Sequence, residues 1–192
     1  MQENIYFETV KCEDYEIFNL EYHNKRVANT IGLNINLQEY IYPLSEELLR
    51  CKVIYNDFEV INVEYFPYKK RDITSFKLIF DDEISYSKKY LNRENLDSLF
   101  LRKEDCDEII IIKNGVVTDT SIANIAIFYE NKWITSKNCL LNGTTKQRLL
   151  DSKFLVEKDI SVKMLKKASQ IALMNAMIDF DIKQNYSFNL NS

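Results

Sequence analysis

Three short groups of side chains carry most of the chemistry that this sequence can offer. Lys88-Lys89-Tyr90 follows an apolar run that ends at Phe80. A lysine in a partly desolvated pocket is the standard residue for a Schiff base, although paired lysines after a strand also serve as solvated surface. Asp119 lies in VVTDTS, at the end of a strand that leaves the Asn114-Gly115 turn, and is followed by Thr120, Ser121 and Asn124. On residue types alone that group reads as a polar loop with local side-chain caps. Asn142-Gly143-Thr144-Thr145 opens a helical segment. Backbone N–H groups at a helix start bind anions, and a glycine there lets a phosphate come close; a plain helix cap is the alternative.

Other chemistries are excluded by what is missing. The chain of 192 residues has three glycines, Gly32, Gly115 and Gly143, which cannot build a G-x-G-x-x-G fingerprint or a G-x-x-x-x-G-K-[ST] phosphate loop. His23 is the only histidine, and Cys12, Cys51, Cys106 and Cys139 are scattered without a C-x-x-C pair. No metal site is expected, and the cysteines read as reduced core residues. A net charge of -4 leaves no basic footprint for nucleic acid. No run approaches eighteen apolar residues and MQENIYFETV lacks a signal pattern, so no membrane partner and a cytoplasmic location are expected. At 46% hydrophobic and 28% charged, the chain can bury a sizeable core.

These groups need elements to position them. Ile5 to Val10 reads as a strand, with a turn at Glu13-Asp14 and a second strand over Tyr15 to Phe18. Asn19 is placed to cap a helix in which Leu20, His23, Val27 and Ile31 recur at helical spacing, and Gly32 sits where a C-terminal cap belongs. A short helix is expected over Ser45 to Arg50, then strands CKVIYND, FEVINVEYF and SFKLIF, with Pro67 interrupting the last two. A helix over Glu94 to Leu101 leads into DEIIIIK, a strand buried on both faces. Asn114-Gly115 predicts a type I′ hairpin, because both central residues of that turn need positive φ. Strands NIAIFY, WIT, FLVEK and QIALMNA follow, with helices over Thr145 to Asp151 and Val162 to Lys167. A boundary near Ser75 divides the chain into an N-terminal lobe of residues 1–74 and a C-terminal lobe of residues 75–192.

Taken together, the order and spacing of these groups resemble the class IV (fold type IV) aminotransferase-like family of pyridoxal 5′-phosphate enzymes. FETVK at Phe7 to Lys11, followed by His23-x-x-Arg26, is similar to the family's opening segment. KYLNR at Lys89 to Arg93 is similar to the segment carrying the cofactor lysine. The stretch from Asp107 to Arg148 resembles the family's long signature almost throughout. The resemblance implies an α+β fold of two lobes, like that of D-amino acid aminotransferase, with the cofactor between them. It implies that Lys89, not Lys88, forms the Schiff base. Arg26 would hold the cofactor phosphate, and Gly143, Thr144 and Thr145 would complete the phosphate cup. Asp119 would pair with the pyridinium nitrogen, with Thr120 and Ser121 at the small polar positions after it. His23 reads as a packed helix residue. Two departures stand out: the family's glutamate is Asp119, one methylene shorter, and the arginine that usually follows the phosphate turn is Lys146.

The form K-x-L-N-R resembles 4-amino-4-deoxychorismate lyase more than the transaminases of the family. That resemblance implies release of pyruvate and 4-aminobenzoate, a folate precursor, from an amino substrate with two carboxylates. Lys69, Lys70 and Arg71 are candidates to face those carboxylates, with a solvated loop as the alternative. An aminotransferase acting on branched-chain or D-amino acids, and a catalytically silent binding domain, remain as other readings. The resemblance also implies a homodimer.

Overall fold

The computed structural model describes residues 4–189. Two compact units emerge from its contacts. The first runs to Lys70 and takes back Lys88–Asn92, and the second holds Arg71–Ser87 and the chain from Arg93 onward. Residues 88–92, expected with the second lobe, thus group with the first. Their backbone explains why: Phe7 N–H donates to Lys89 O at 2.9 Å and Leu91 N–H to Ile5 O at 2.8 Å, which adds the segment to a strand edge.

Among its described residues, the first unit is a four-stranded antiparallel sheet with one α-helix and a 3-10 turn at Leu37–Glu39. Its strands are β1 (Tyr6–Glu13), β2 (Glu16–Ile17), β3 (Leu49–Tyr55) and β4 (Val60–Pro67), in the order β2-β1-β3-β4. Successive side chains alternate between faces. Tyr6, Glu8, Val10 and Cys12 of β1 and Cys51, Val53 and Tyr55 of β3 are all buried. All but Glu8 form an apolar core with Val27 of α1 (Leu20–Ile31). The opposite face carries Phe7, Thr9 and Lys11, paired across the ladder with Ile54, Lys52 and Arg50. Gly32 ends α1 in the left-handed region (φ 76°), donating to Ala28 O at 2.8 Å. Asn19 also has positive φ, and its side chain makes no capping bond.

The helix expected over Ser45 to Arg50 does not form. Ser45 Oγ accepts the Glu47 N–H in a local turn, and Leu49 and Cys51 alternate inward as the start of β3. Six residues offer too little helix to compete with a sheet edge that buries both side chains.

The second unit is built on nine strands, β5 (Ser75–Phe80) to β13 (Ser187–Asn189). Its central path runs β10-β9-β8-β7-β6-β5-β13, and β11 (Gln170–Asn175) pairs with β8 (Asn124–Tyr129) and β12 (Asp179–Lys183). Strand β6 (Glu108–Lys113) is buried on both faces, as DEIIIIK predicts. Asn114 (φ 51°) and Gly115 (φ 76°) turn it into β7 (Val116–Thr120), giving the type I′ geometry that the Asn-Gly pair predicts. Helices α2 (Glu94–Leu101) and α4 (Val162–Lys167) span the expected residues, and α3 (Thr144–Asp151) starts one residue earlier. Leu149 of α3 packs with Ala126, Leu155, Ala172 and Met174 on one side of the sheet. The larger core holds Phe76, Ile110, Ile112, Ile125 and Ile127. Strands β12 and β13 had no sequence expectation; DFDIK alternates over only five residues and SFN over three.

Candidate functional site

In the first unit, two consecutive lysines diverge. Tyr90 forms a bridge pair with Tyr6 and stacks on it at 5.3 Å, on the covered face of the sheet. Lys88 shares that side: its Nζ donates to Thr30 O of α1 at 2.7 Å and lies 5.5 Å from the Tyr6 ring centroid. Lys89, by alternation, falls on the opposite face, where its Nζ stands 4.5 Å from the Phe7 ring centroid.

Arg26 is held by a buried partner. Glu8 accepts from Arg26 Nε at 2.8 Å and Nη2 at 2.5 Å, and from the His23 ring Nδ1 at 2.6 Å. Burial alone would raise the Glu8 carboxyl, but Arg26 and His23 outweigh it and hold it at about 2. Arg26 thus makes a bidentate contact to Glu8, with its side chain 13% exposed. His23 is fully buried, a packed helix residue as expected. Burial lowers its pKa against the pull of Glu8.

The second unit assembles Asp119 and the 142–145 turn into one network. Asp119 Oδ2 accepts the amides of Leu140 at 2.7 Å and Leu141 at 3.0 Å. Its Oδ1 accepts from Asn124 Nδ2 at 2.6 Å, and the same nitrogen donates to Leu141 O at 2.8 Å. Asp119 and Asn124 are paired across β7 and β8, which places both on one face. Burial pushes the Asp119 carboxyl up to about 6, against the pull of those amides and of Asn124. Among the described residues, no Lys or Arg lies within salt-bridge distance of Asp119. A carboxylate offers about four lone-pair directions, and three are filled.

Gly143 is the residue before α3, with extended backbone and no side-chain cap. A Cβ there would fall 2.0 Å from Asn124 Oδ1, which explains the glycine. Thr144 and Thr145 open the helix and are buried. With no side chain capping the first turn, its amides remain suited to an anion. Lys146 is also buried, and its Nζ reaches Ser136 O at 2.9 Å, Cys139 Sγ at 3.1 Å and Glu157 Oε1 at 2.8 Å.

Thr120 and Ser121 shape the turn beside Asp119. Thr120 Oγ1 accepts the Ala123 N–H at 3.0 Å and donates to Ala123 O at 3.1 Å, the local cap that residue types alone suggest. Ser121 is gripped through its backbone: its N–H donates to buried Glu108 Oε1 at 3.3 Å and its carbonyl accepts from Arg93 Nη2 at 2.9 Å. Arg71 lies on Phe100, bonds Asp107 O at 2.8 Å and faces Glu108 Oε2 at 3.5 Å, so it serves its own unit. Sequence reading singled out neither Glu8 nor Glu108. An acidic residue inside an apolar strand, as in YFETV and DEIIII, was the signal available for both.

A family model described as amino-transferase class IV matches residues 86–180. The crystal structure of a putative 4-amino-4-deoxychorismate lyase from Haemophilus somnus 129pt is 34% identical, with a TM-score of 0.84 over 92% of this chain and 98% of that one. The chain belongs to the class IV aminotransferase family. It is an enzyme of the lyase or aminotransferase kind. A putative aminodeoxychorismate lyase of Schizosaccharomyces pombe is 26% identical over 92% of this chain and 87% of its own length. A Mycobacterium tuberculosis hypothetical aminotransferase in its PLP-bound form, 16% identical with a TM-score of 0.78 over 96% of this chain and 81% of that one, shares the fold. The mixed α/β architecture of this class IV chain is thus that of fold type IV enzymes. Among its described residues, no helix is long and apolar enough to cross a membrane.

Proposed function

We propose that the protein is a pyridoxal 5′-phosphate-dependent 4-amino-4-deoxychorismate lyase, forming 4-aminobenzoate and pyruvate. The observation that carries this reading is the 34% identity to the Haemophilus somnus protein over nearly its whole length. The residues suit the cofactor. Asp119 is a buried carboxylate with no ion-pair partner among the described residues and a lone-pair direction to spare, which a protonated ring nitrogen would fill. The uncapped start of α3 and Gly143, Thr144 and Thr145 suit a phosphate. Arg26 adds positive charge, with its orientation fixed by Glu8.

When bound, the cofactor supplies an electron sink for the charge released at the substrate carbon. The protein's own part is proton movement and electrostatics. Lys89 Nζ would take the proton from the substrate carbon bearing nitrogen and later return it to the departing enolpyruvyl group. Asp119, ionised, would hold positive charge at the ring nitrogen of the bound cofactor. Loss of the enolpyruvyl group as pyruvate then leaves the aromatic product.

An aminotransferase acting on branched-chain or D-amino acids uses the same residues and differs only in where the proton is returned; the class IV match favours it as the second reading. The test is pyruvate release from 4-amino-4-deoxychorismate with no keto acid added. Release supports the lyase, and an absolute demand for a keto acid supports the aminotransferase. The same reading includes a cytoplasmic homodimer, for which light scattering should give twice the mass of 22.8 kDa.

A further inference from the structure

One face of the first unit's sheet is packed by α1; the other collects positive charge around Lys89. Pairing across β1, β3 and β4 sets Thr9 beside Lys52 beside Glu64, and Lys11 beside Arg50 beside Phe66, all on the face of Phe7. Lys11 is matched by Glu13 at 2.5 Å. Lys52 lies 3.6 Å from Glu64, beyond hydrogen-bond reach. Among the described residues, Arg50 has no carboxylate within salt-bridge distance; its guanidinium rests 4.9 Å from the Phe66 ring centroid. Lys52 and Lys89 share the Phe7 ring, at 5.9 Å and 4.5 Å from its centroid. The face therefore carries Lys11, Arg50, Lys52 and Lys89 against Glu13 and Glu64.

Stacking a guanidinium on an aromatic ring leaves its edge donors for an acceptor in the plane, the geometry that suits a carboxylate. Residues two apart on a strand are about 7 Å apart, so the long side chains of Lys52 and Arg50 can converge on one carboxylate of a small molecule. Lys52 is the nearer of the two to the reactive lysine.

We propose that Lys52 and Arg50 together form the subsite for the carboxylate that the amino substrate carries into its aromatic product. This rests on the reading of Lys89 as the cofactor lysine. A bound carboxylate replaces Glu64 as the partner of Lys52 and gives Arg50 the acceptor it lacks. Of the sequence candidates Lys69, Lys70 and Arg71, Arg71 is occupied by Asp107 O and Glu108.

The experiment compares 4-aminobenzoate with its neutral amide, 4-aminobenzamide, as ligands of the cofactor-loaded protein, in wild type and in Lys52→Ala, Lys52→Glu, Lys52→Arg and Arg50→Ala. Absorbance of the lysine-bound cofactor is read in parallel, so loss of cofactor linkage is seen separately from loss of the subsite. Wild type should prefer the acid. Lys52→Ala or Arg50→Ala should shrink that preference by roughly ten- to hundredfold, the size of one charge-assisted hydrogen bond. Lys52→Glu should reverse it, and Lys52→Arg should keep most of it. Cofactor absorbance should stay unchanged in all four. An acid-over-amide preference equal to wild type in Lys52→Ala, Lys52→Glu and Arg50→Ala, with cofactor absorbance intact, overturns the proposal.

Discussion

The side-chain oxygen of Asn124 occupies the space that a Cβ on Gly143 would need, 2.0 Å away. Through the nitrogen of the same amide, Asn124 also bonds Asp119 and Leu141. The carboxylate proposed for the ring nitrogen and the turn proposed for the phosphate are thus two ends of one side chain. Gly143→Ala must push Asn124 aside. The expected cost is about 1–3 kcal/mol in urea unfolding, with weaker cofactor binding in titration. Much of that loss should be recovered when Asn124 is Ala as well.

Asn124→Ala should loosen Asp119 and weaken cofactor affinity. A double-mutant cycle separates two routes for that effect. If Asn124 works by orienting Asp119, its loss should cost little in an Asp119→Ala background. A full, additive loss there would mean that Asn124 serves only the turn.

Glu8 is an anion buried between Arg26 and His23. Its folded pKa lies below its unfolded value, so its contribution to stability is present above about pH 4.5 and is lost as pH falls towards about 2. Glu8→Gln should flatten that acid limb in urea unfolding. At neutral pH it should cost roughly 3–5 kcal/mol, because a buried guanidinium loses its partner. Cofactor affinity should fall too, since Arg26 is no longer held.

Asp119 has the opposite sign. Its folded pKa is raised from 3.8 to about 6, so its contribution is full below about pH 4 and is lost as pH rises through about 6. Without cofactor, the protein should therefore lose on the order of 3 kcal/mol across that window from this group alone. A cation at the ring nitrogen removes the penalty, and the loss should shrink when unfolding is measured with cofactor bound.

Much of this was legible in the sequence because local rules agreed with the fold. Asn114-Gly115 demands its hairpin, Gly32 its helix end, and DEIIIIK its doubly covered strand. The spacing from Phe7 to Arg26 and from Lys89 to Gly143 was enough to suggest the family. What the sequence hid was which way side chains point. Lys88 and Lys89 differ only in the face that alternation gives each. Arg26 meets Glu8 only because β1 and α1 pack together across a gap of eighteen residues. Leu49 went to a strand rather than a helix because β1 offered an edge, a non-local fact. Between facing a substrate and lying in a loop, the sequence could not place Arg71; its contacts with Asp107 and Glu108 are non-local.

The account depends most on Lys89 and not Lys88 bearing the cofactor. Borohydride reduction of the protein incubated with pyridoxal 5′-phosphate, followed by peptide mass mapping, reads this directly. The reduced pyridoxyl phosphate group should sit on Lys89, with Lys88→Ala still labelled and Lys89→Ala unlabelled. Label on Lys88, or label that survives in Lys89→Ala at wild-type yield, would contradict it.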